Sequence, residues 1–142
     1  MFTQIIKFDK TRDYELLCSW FDQWNLKHPE LDQLGEESWI IYLNGIPIAF
    51  SCFAKTDTKL AIMGFTIARK EHIEGKSEAI DKLINYIFKR VNDCGFKYLY
   101  YFTDTKVMVD RMERLGMTIT DNGNAYILIK GFNSTNMDFY NI

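Results

Sequence analysis

Residues that build redox or metal frameworks are scarce in this sequence. Its 142 residues include three cysteines and two histidines. The cysteines are odd in number and widely spaced, and none forms a Cys-x-x-Cys pair, so the sequence predicts neither a disulfide framework nor a zinc site. The two histidines lie far apart and match no metal-binding pattern, so we expect no structural metal. Reduced thiols favour a cytoplasmic protein.

Long apolar runs are also missing. No stretch approaches the roughly 20 apolar residues of a membrane span. Residues 1–9 lack the basic, apolar and small-residue regions of a signal peptide. We therefore expect a soluble, unexported protein with no membrane partner.

Neither sign of charge dominates the chain. The sequence has 17 basic and 19 acidic residues, for a formal net charge of −2. Nucleic acids are bound through a positive field that such a chain lacks. The aromatic residues of segment 98–102 could stack bases, but alternation of this kind is more typical of a strand buried on both faces. We expect no nucleic-acid partner.

Hydrophobic residues, in contrast, are abundant and periodic. They make up 47% of the chain, and aromatics 15%, which is enough for one core. We predict one domain over residues 1–130 and a polar tail over residues 131–142. Apolar residues spaced by three and four predict helices, with a candidate cap in segment 9–13 for the first and Ser77 as a candidate cap for the second. The predicted helices cover residues 14–25, 77–93 and 104–115.

Shorter apolar runs bounded by turn residues predict strands. The pair Asn44-Gly45 lies between two of these runs and is a strong signal for a tight hairpin. The segment 27–38 contains a proline, a glycine and several acids, so it should be irregular or hold a short helix, and in an enzyme it could border the substrate. The order of strands and helices predicts an α/β fold, a mixed sheet with helices on its faces. The predicted strands cover residues 2–8, 39–43, 46–53, 60–67, 96–102, 117–120 and 125–130.

The loop before the second long helix is a candidate phosphate site. A helix N-terminus leaves backbone N–H groups unpaired and carries a partial positive charge. Gly75 would let the backbone approach a ligand closely. Arg69, Lys70 and Lys76 add positive charge, which three nearby glutamates oppose. The alternative is an ordinary charged connection capped by Ser77.

This loop and the order of the elements resemble the GNAT family of acyl-CoA N-acyltransferases. There the fourth strand leads into Val-x-Pro-x-x-Arg/Gln-x-x-Gly-x-Gly/Ala, which opens the next helix and holds the pyrophosphate of coenzyme A. The spacing is kept here and Gly75 matches, while Arg69, His72 and Ser77 replace the usual Pro, Arg/Gln and Gly/Ala. The resemblance covers residues 2–130. The matching segments are Ile67-Ala68-Arg69-Lys70-Glu71-His72-Ile73-Glu74-Gly75-Lys76-Ser77 and the closing Leu115-Gly116-Met117.

The resemblance implies a single-domain GNAT fold that uses acetyl-CoA as co-substrate. It implies transfer of the acetyl group to an amine of a small molecule or a protein. A backbone N–H at the strand end near Ile67 would polarise the thioester carbonyl. The cofactor-binding residues that it implies are Thr66, Ile67, Arg69, His72, Gly75, Lys76, Ser77 and Thr105.

The acid and base of the reaction are absent from the family's usual positions. The strand over residues 60–67 has no carboxylate, so the candidate bases are Glu36, Glu37 and Asp104. The family's leaving-group tyrosine falls on Met112, which cannot donate a proton. Enzymes of this fold that lack the tyrosine release thiolate directly or through water, so activity and its loss both stay open.

The main alternative is a catalytically inactive GNAT-fold protein with a structural or partner-binding role. It would resemble the GNAT-like internal virion or assembly proteins of tailed phages, and the protein would then lie in a virion. The aromatic tail, with Phe132, Phe139 and Tyr140, would dock to a partner in that case or else form a disordered end. The last hairpin could pair with its copy in a homodimer. Nucleophilic hydrolysis is disfavoured, because there is no Gly-x-Ser-x-Gly and neither histidine has a Ser or Cys partner.

Overall fold

A computed structural model describes residues 2–122 and 126–132. The tip of the last predicted hairpin and the residues after Phe132, which include Phe139 and Tyr140, lie outside the described residues. Each predicted helix and strand is present, with ends that coincide or differ by up to four residues. A short 3-10 helix, Leu31–Gln33, interrupts the segment predicted to be irregular. The elements are β1 Thr3–Lys7, α1 Lys10–Gln23, β2 Ser38–Leu43, β3 Ile46–Lys55, β4 Leu60–Ala68, α2 Lys76–Asp93, β5 Tyr98–Thr103, α3 Lys106–Arg114, β6 Thr118–Asn122 and β7 Tyr126–Gly131.

Helix starts explain the largest differences from the prediction. Asp9 caps α1, because its carboxylate accepts the N–H groups of Thr11 and Arg12, so the helix begins four residues before the predicted start. The prediction that Ser77 caps α2 is wrong. The N-cap is Gly75, whose φ of 86° lies in the left-handed region that favours glycine, and Ser77 lies in the first turn.

The strands form one sheet in the order β1-β2-β3-β4-β5-β7-β6. The pairing of β4 with β5 is parallel, and the other neighbours run antiparallel. Asn44 and Gly45 both have positive φ, as the tight turn between β2 and β3 requires. In this order β6 is an edge strand, as pairing in a homodimer would need; dimer formation itself stays a prediction.

Helices pack on both faces of the sheet. On one face, α1 buries Leu17 and Trp20 against Phe50 and other residues of β2 to β4. On the opposite face, α2 packs over β2 and β3, α3 packs over β7 and β6, and together they bury the larger apolar cluster. The face of β5 on the α1 side is less well covered, and Phe102 is 49% exposed there.

None of the helices formed by the described residues combines the length and the hydrophobicity that a membrane span requires.

A partly buried ion pair links Glu37, the residue before β2, to the last turn of α2. The Glu37 carboxylate accepts hydrogen bonds from Arg90 Nε at 3.0 Å and Nη2 at 2.6 Å, and from Trp39 Nε1 at 3.2 Å. The Glu37 side chain is 5% exposed. The hydrogen bond from Arg90 is the main cause that holds the pKa of Glu37 below its ordinary value, although burial opposes it. Glu37 therefore stays ionised at neutral pH.

We predict that Glu37→Gln lowers the free energy of unfolding by about 2 kcal/mol at pH 7, because the neutral amide cannot pair with Arg90. Since the pKa of Glu37 is lowered in the folded state, its stabilisation is present above the ordinary carboxyl pKa and is lost as the pH falls through the folded pKa. The difference between parent and variant should thus shrink towards pH 3. Urea unfolding at pH 7, 5 and 3 measures it, with Glu15→Gln on the exposed side of α1 as control. A difference that stays constant with pH would contradict the prediction.

Candidate functional site

The central feature of the site is the point where β4 and β5 part. The two strands pair from Leu60 opposite Tyr98 to Met63 opposite Tyr101, and no pair follows. Beyond that point β5 stays with β7, while β4 continues to Ala68 along β3. Alternate N–H and C=O groups of residues 64–68 therefore face an edge that no described strand occupies. This edge can bind an extended ligand as a neighbouring strand would.

A β-bulge in β4 accompanies this separation. Phe50 pairs with Ile67 and Cys52 with Gly64, so Ser51 of β3 lies opposite two residues of β4. The Ser51 hydroxyl is 2.8 Å from that of Thr66, which also donates to the Gly64 carbonyl at 3.1 Å. A bulge bends and twists its strand, so it gives a physical reason for β4 to turn away from β5.

A cavity of about 210 Å³ lies at the N-terminus of α2, and we call it the loop-side cavity. Its lining includes His72, Gly75, Ser77 and, from α3, Arg111. Of the N–H groups in the first helical turn, that of Lys76 donates to the Ile73 carbonyl at 3.0 Å, and those of Ser77 and Glu78 have no intrahelical acceptor. The partial positive charge of the helix terminus adds to their attraction for an anion.

Arg111 adds a charge to the loop-side cavity that the sequence analysis did not find. Its guanidinium donates to the Ser77 carbonyl at 3.0 Å and to the Ser77 hydroxyl at 3.1 Å, and it forms an ion pair with Asp81. Arg114 also pairs with Asp81, at 2.9 Å. One carboxylate thus balances two guanidinium groups, while Lys76 and Glu78 add one positive and one negative charge to the cavity lining.

Lys76 holds the loop together. Its ammonium donates to three backbone carbonyls, those of Arg69 at 3.0 Å, Lys70 at 3.3 Å and Glu71 at 3.0 Å. An ammonium has three donors, so all of them are used. The charge of Lys76 stays close to the cavity, but its hydrogen bonds go to the loop.

The C-terminal end of α1 fastens the same loop from the other side. Gln23 accepts from the Lys70 N–H at 2.9 Å and donates to Glu71 at 3.0 Å. Trp24 donates to the Ala68 carbonyl at 2.8 Å. The Arg69 side chain also turns inward, with one bond to the Pro47 carbonyl at 3.0 Å and another to Glu71. Two of the three cations that the sequence placed beside a phosphate, at positions 69 and 76, thus bond to protein groups.

A second cavity, of about 440 Å³, lies on the α1 face of the sheet and is called the α1-side cavity. Its floor is formed by β3 and β4 and includes Cys52, Ile62 and Gly64; the 3-10 helix and the residues after it form the rim, with Asp32 and Glu36. Gly64 is also the first residue past the last β4–β5 pair. The α1-side cavity and the free edge of β4 therefore meet at this glycine.

Two of the three predicted bases line the α1-side cavity. The Glu36 side chain is mostly exposed, and the hydrogen bond from Lys55, at 2.8 Å, lowers its pKa. Glu37 also lines the cavity, but Arg90 occupies both of its oxygens. Asp104 lies elsewhere, exposed in the turn between β5 and α3. Of the three predicted bases, Glu36 is therefore the one with oxygens accessible to a ligand in this cavity, and Asp32 on the rim is a further accessible carboxylate.

The residues near the separation of β4 and β5 differ in whether their side chains can donate a proton or act as nucleophiles. Met112 is fully buried in the core, at the position that the resemblance assigns to a tyrosine. Tyr101 lies opposite Met63 in the last pair, and burial raises its pKa, so its hydroxyl is protonated at neutral pH. Thr105 is the N-cap of α3, with its hydroxyl 3.1 Å from that of Thr103. Burial raises the pKa of Cys52 to about 12, so this thiol is not a nucleophile at neutral pH.

No protein-family model matches the sequence, and no curated protein matches it either. Solved structures do match. Ard1 from Thermoplasma volcanium superposes with a TM-score of 0.76 at 13% identity, over 93% of this chain and 99% of that one. The aminoglycoside 6'-N-acetyltransferase from Enterococcus faecium gives a TM-score of 0.72 at 13% identity, over 93% of this chain and 98% of that one.

A third match is longer than this chain. N-acetylglutamate synthase from Neisseria gonorrhoeae, in complex with coenzyme A and N-acetyl-glutamate, gives a TM-score of 0.72 at 13% identity over 94% of this chain. This chain spans 36% of that protein. At these identities the likeness shows the fold alone, and the predicted fold, a single-domain GNAT fold with a mixed sheet, is confirmed.

We predict that Lys76→Met loosens the loop over residues 69–75, because three carbonyls lose a charged donor. Bonds to a charged donor contribute roughly 1.5–3 kcal/mol when buried, and those of Lys76 are partly exposed. Amide hydrogen exchange in the loop should therefore become about tenfold faster, which corresponds to about 1.4 kcal/mol. Lys89→Met, on the exposed side of α2, is the matched control. Equal exchange in the two variants would contradict a holding role for Lys76.

Proposed function

We propose that this chain is an N-acetyltransferase that transfers the acetyl group of acetyl-CoA to an amine. The observation that carries this proposal is the arrangement along β4. The loop-side cavity lies just beyond its carboxyl end, the free edge occupies residues 64–68, and the α1-side cavity begins at Gly64. One strand thus links an anion site, an edge for an extended ligand and a cavity for a second substrate.

The loop-side cavity suits the diphosphate of acetyl-CoA. The first-turn N–H groups of α2 would donate to its oxygens, and Gly75 in its left-handed conformation brings the backbone close. Arg111 and His72 line the same cavity and would add donors. The predicted cofactor residues Arg69 and Lys76 would act indirectly, because they fix the loop.

The free edge of β4 suits the pantetheine arm. Amide groups of the arm would bond to alternate N–H and C=O groups of residues 64–68, as a neighbouring strand would. The thioester would then lie near the bulge, where the backbone N–H of Thr66 would stabilise the oxyanion that forms. The N–H of Ile67 is less suited, because it faces β3, as that of Arg69 does. Thr105, at the start of α3, would border the other side of the gap.

The reaction needs one proton removed and one added. The neutral amine attacks the thioester carbon, the C–N bond forms, and the C–S bond breaks. Glu36 is the proposed base, since it lines the α1-side cavity from which the amine would come. Glu37 is less suited, because both of its oxygens bond to Arg90. Asp104 is less suited, because it lies outside the cavity. Tyr101, which is itself only 6% exposed, is the proposed acid for the leaving thiolate, in place of Met112, which has no proton to donate.

Calorimetric titration with acetyl-CoA tests the proposed cofactor site. We expect micromolar binding by the parent protein and a loss of at least tenfold in Ser77→Glu, whose carboxylate would repel the diphosphate and cover Arg111. An acid in the first turn is compatible with a helix N-terminus, so the variant should fold. A substitution at Gly75 would strain the left-handed backbone and is less suitable.

Ser77→Gln is the matched control, with similar size and no charge, and should bind within about threefold of the parent. Failure of the parent to bind acetyl-CoA would contradict the proposal and favour a GNAT-fold protein with a structural or partner-binding role. Equal binding by Ser77→Glu would place the diphosphate elsewhere.

Tyr101→Phe tests the proposed acid. Loss of a general acid typically costs 100-fold or more, so kcat for thiol release should fall about 100-fold while acetyl-CoA affinity is unchanged. Because the pKa of Tyr101 is raised, parent activity should persist at alkaline pH and fall only as the hydroxyl ionises above its ordinary pKa. An unchanged kcat in the variant would mean that the thiolate leaves directly or through water.

A further inference from the structure

The α1-side cavity has the size and lining of a small-molecule site. Its volume of about 440 Å³ lies within the range of ligand pockets. Its walls are largely apolar, from Ala54, Ile62 and Phe65 among others. Its charged groups are three carboxylates, on Asp32, Glu36 and Glu37, and one ammonium, on Lys55.

These charges leave the cavity negative. Arg90 balances Glu37 through two hydrogen bonds, and Lys55 balances Glu36 at 2.8 Å. Among the described residues, no cation pairs with Asp32 on the rim. The unpaired carboxylate of Asp32 on the exposed rim favours an ammonium group over a carboxylate. The cation of the lining, Lys55, is already paired with Glu36, on which Lys7 also acts from outside the lining.

An aromatic surface continues from the cavity across the sheet. Tyr100 of β5 lies directly opposite Ile62, so their side chains share the α1 face. Phe102 follows on that face, packs edge-to-face against Tyr100 at 6.2 Å between ring centres, and is 49% exposed. A substrate with an apolar body could cover this surface, and the removal of apolar surface from water would contribute favourable binding free energy.

We propose that the amine acceptor is a small primary amine whose body is apolar or aromatic and bears no carboxylate. The proposal rests on the proposed function, because it assigns the second substrate of that reaction. The acceptor arrives as an ammonium ion, loses a proton to a cavity carboxylate, and attacks the thioester carbon. The products are the N-acetyl amine, free coenzyme A thiol and one proton.

A set of chemically matched amines tests this inference through the thiol released from acetyl-CoA. 2-Phenylethylamine and phenylalanine share the aromatic body and differ by one carboxylate. 2-Aminoethanol retains the amine without an apolar body. We expect kcat/KM for 2-phenylethylamine to exceed that for each of the other two by at least about 100-fold. A preference for phenylalanine, for 2-aminoethanol or for the N-terminal amine of a tetrapeptide would overturn the inference.

Two variants test whether the charge of the α1-side cavity causes the preference for 2-phenylethylamine over phenylalanine. Asp32→Lys should reduce the preference for 2-phenylethylamine over phenylalanine by at least tenfold, because a cation then faces the carboxylate. Asp57→Lys makes the same charge change in the exposed turn after β3, outside the cavity, and should leave the ratio unchanged. Equal ratios in both variants would overturn the role assigned to the cavity charge.

A substitution in the floor of the α1-side cavity tests whether the amine acceptor binds there. A Cβ at Gly64 would lie 3.5 Å from Cys52 Sγ, an ordinary contact, so Gly64→Ala should fold. Its methyl group narrows the cavity, and KM for 2-phenylethylamine should rise at least threefold. An unchanged KM would place the acceptor elsewhere.

Calorimetry with acetyl-CoA alone distinguishes failure of this inference from failure of the proposed function. Binding of acetyl-CoA together with transfer to another class of amine would overturn the acceptor inference and leave the acetyltransferase function intact. Absence of acetyl-CoA binding would overturn both.

Discussion

The loss of backbone pairing between β4 and β5 after Met63 is the constraint on which the site depends. Backbone N–H and C=O groups in a strand require partners. Those of residues 64–68 that face away from β3 have no neighbouring strand among the described residues, and of these the Ala68 carbonyl accepts a hydrogen bond from Trp24. The bulge opposite Ser51, held by the hydroxyl of Thr66, bends β4 at this point. A ligand with extended amide groups is the natural partner for such an edge, and the two cavities lie at its two ends.

The groups around this edge are held in place by other parts of the chain. Gln23 and Trp24 at the end of α1 bond to the loop that follows β4, and Lys76 closes the loop on itself. The ion pair between Glu37 and Arg90 joins the residue before β2 to the last turn of α2. Rigid support of this kind lowers the entropic cost of ordering a binding loop when a ligand arrives.

Charge is distributed so that the two cavities differ in sign. Near the loop-side cavity, Arg111 and Arg114 share the single carboxylate of Asp81, and the terminus of α2 adds partial positive charge. Near the α1-side cavity, Asp32 has no cationic partner among the described residues. A protein with a net charge close to zero can therefore carry groups of opposite sign near the two ends of the free edge of β4, as the proposed reaction between acetyl-CoA and an amine would require.

Local patterns in the sequence determined the elements and much of their order. Spacing by three and four predicted the helices, Asn44-Gly45 predicted the hairpin, and Gly75 matched the loop, because each signal depends on residues a few positions apart. Only the tertiary structure decided what the side chains contact. Arg111 meets Ser77 from 34 residues away, Arg90 reaches Glu37 across 53, and Lys76 bonds to carbonyls that the sequence left unassigned. Contacts of this range depend on how elements pack, and no local period encodes them, so the charges of the candidate site could be counted from the sequence but not placed.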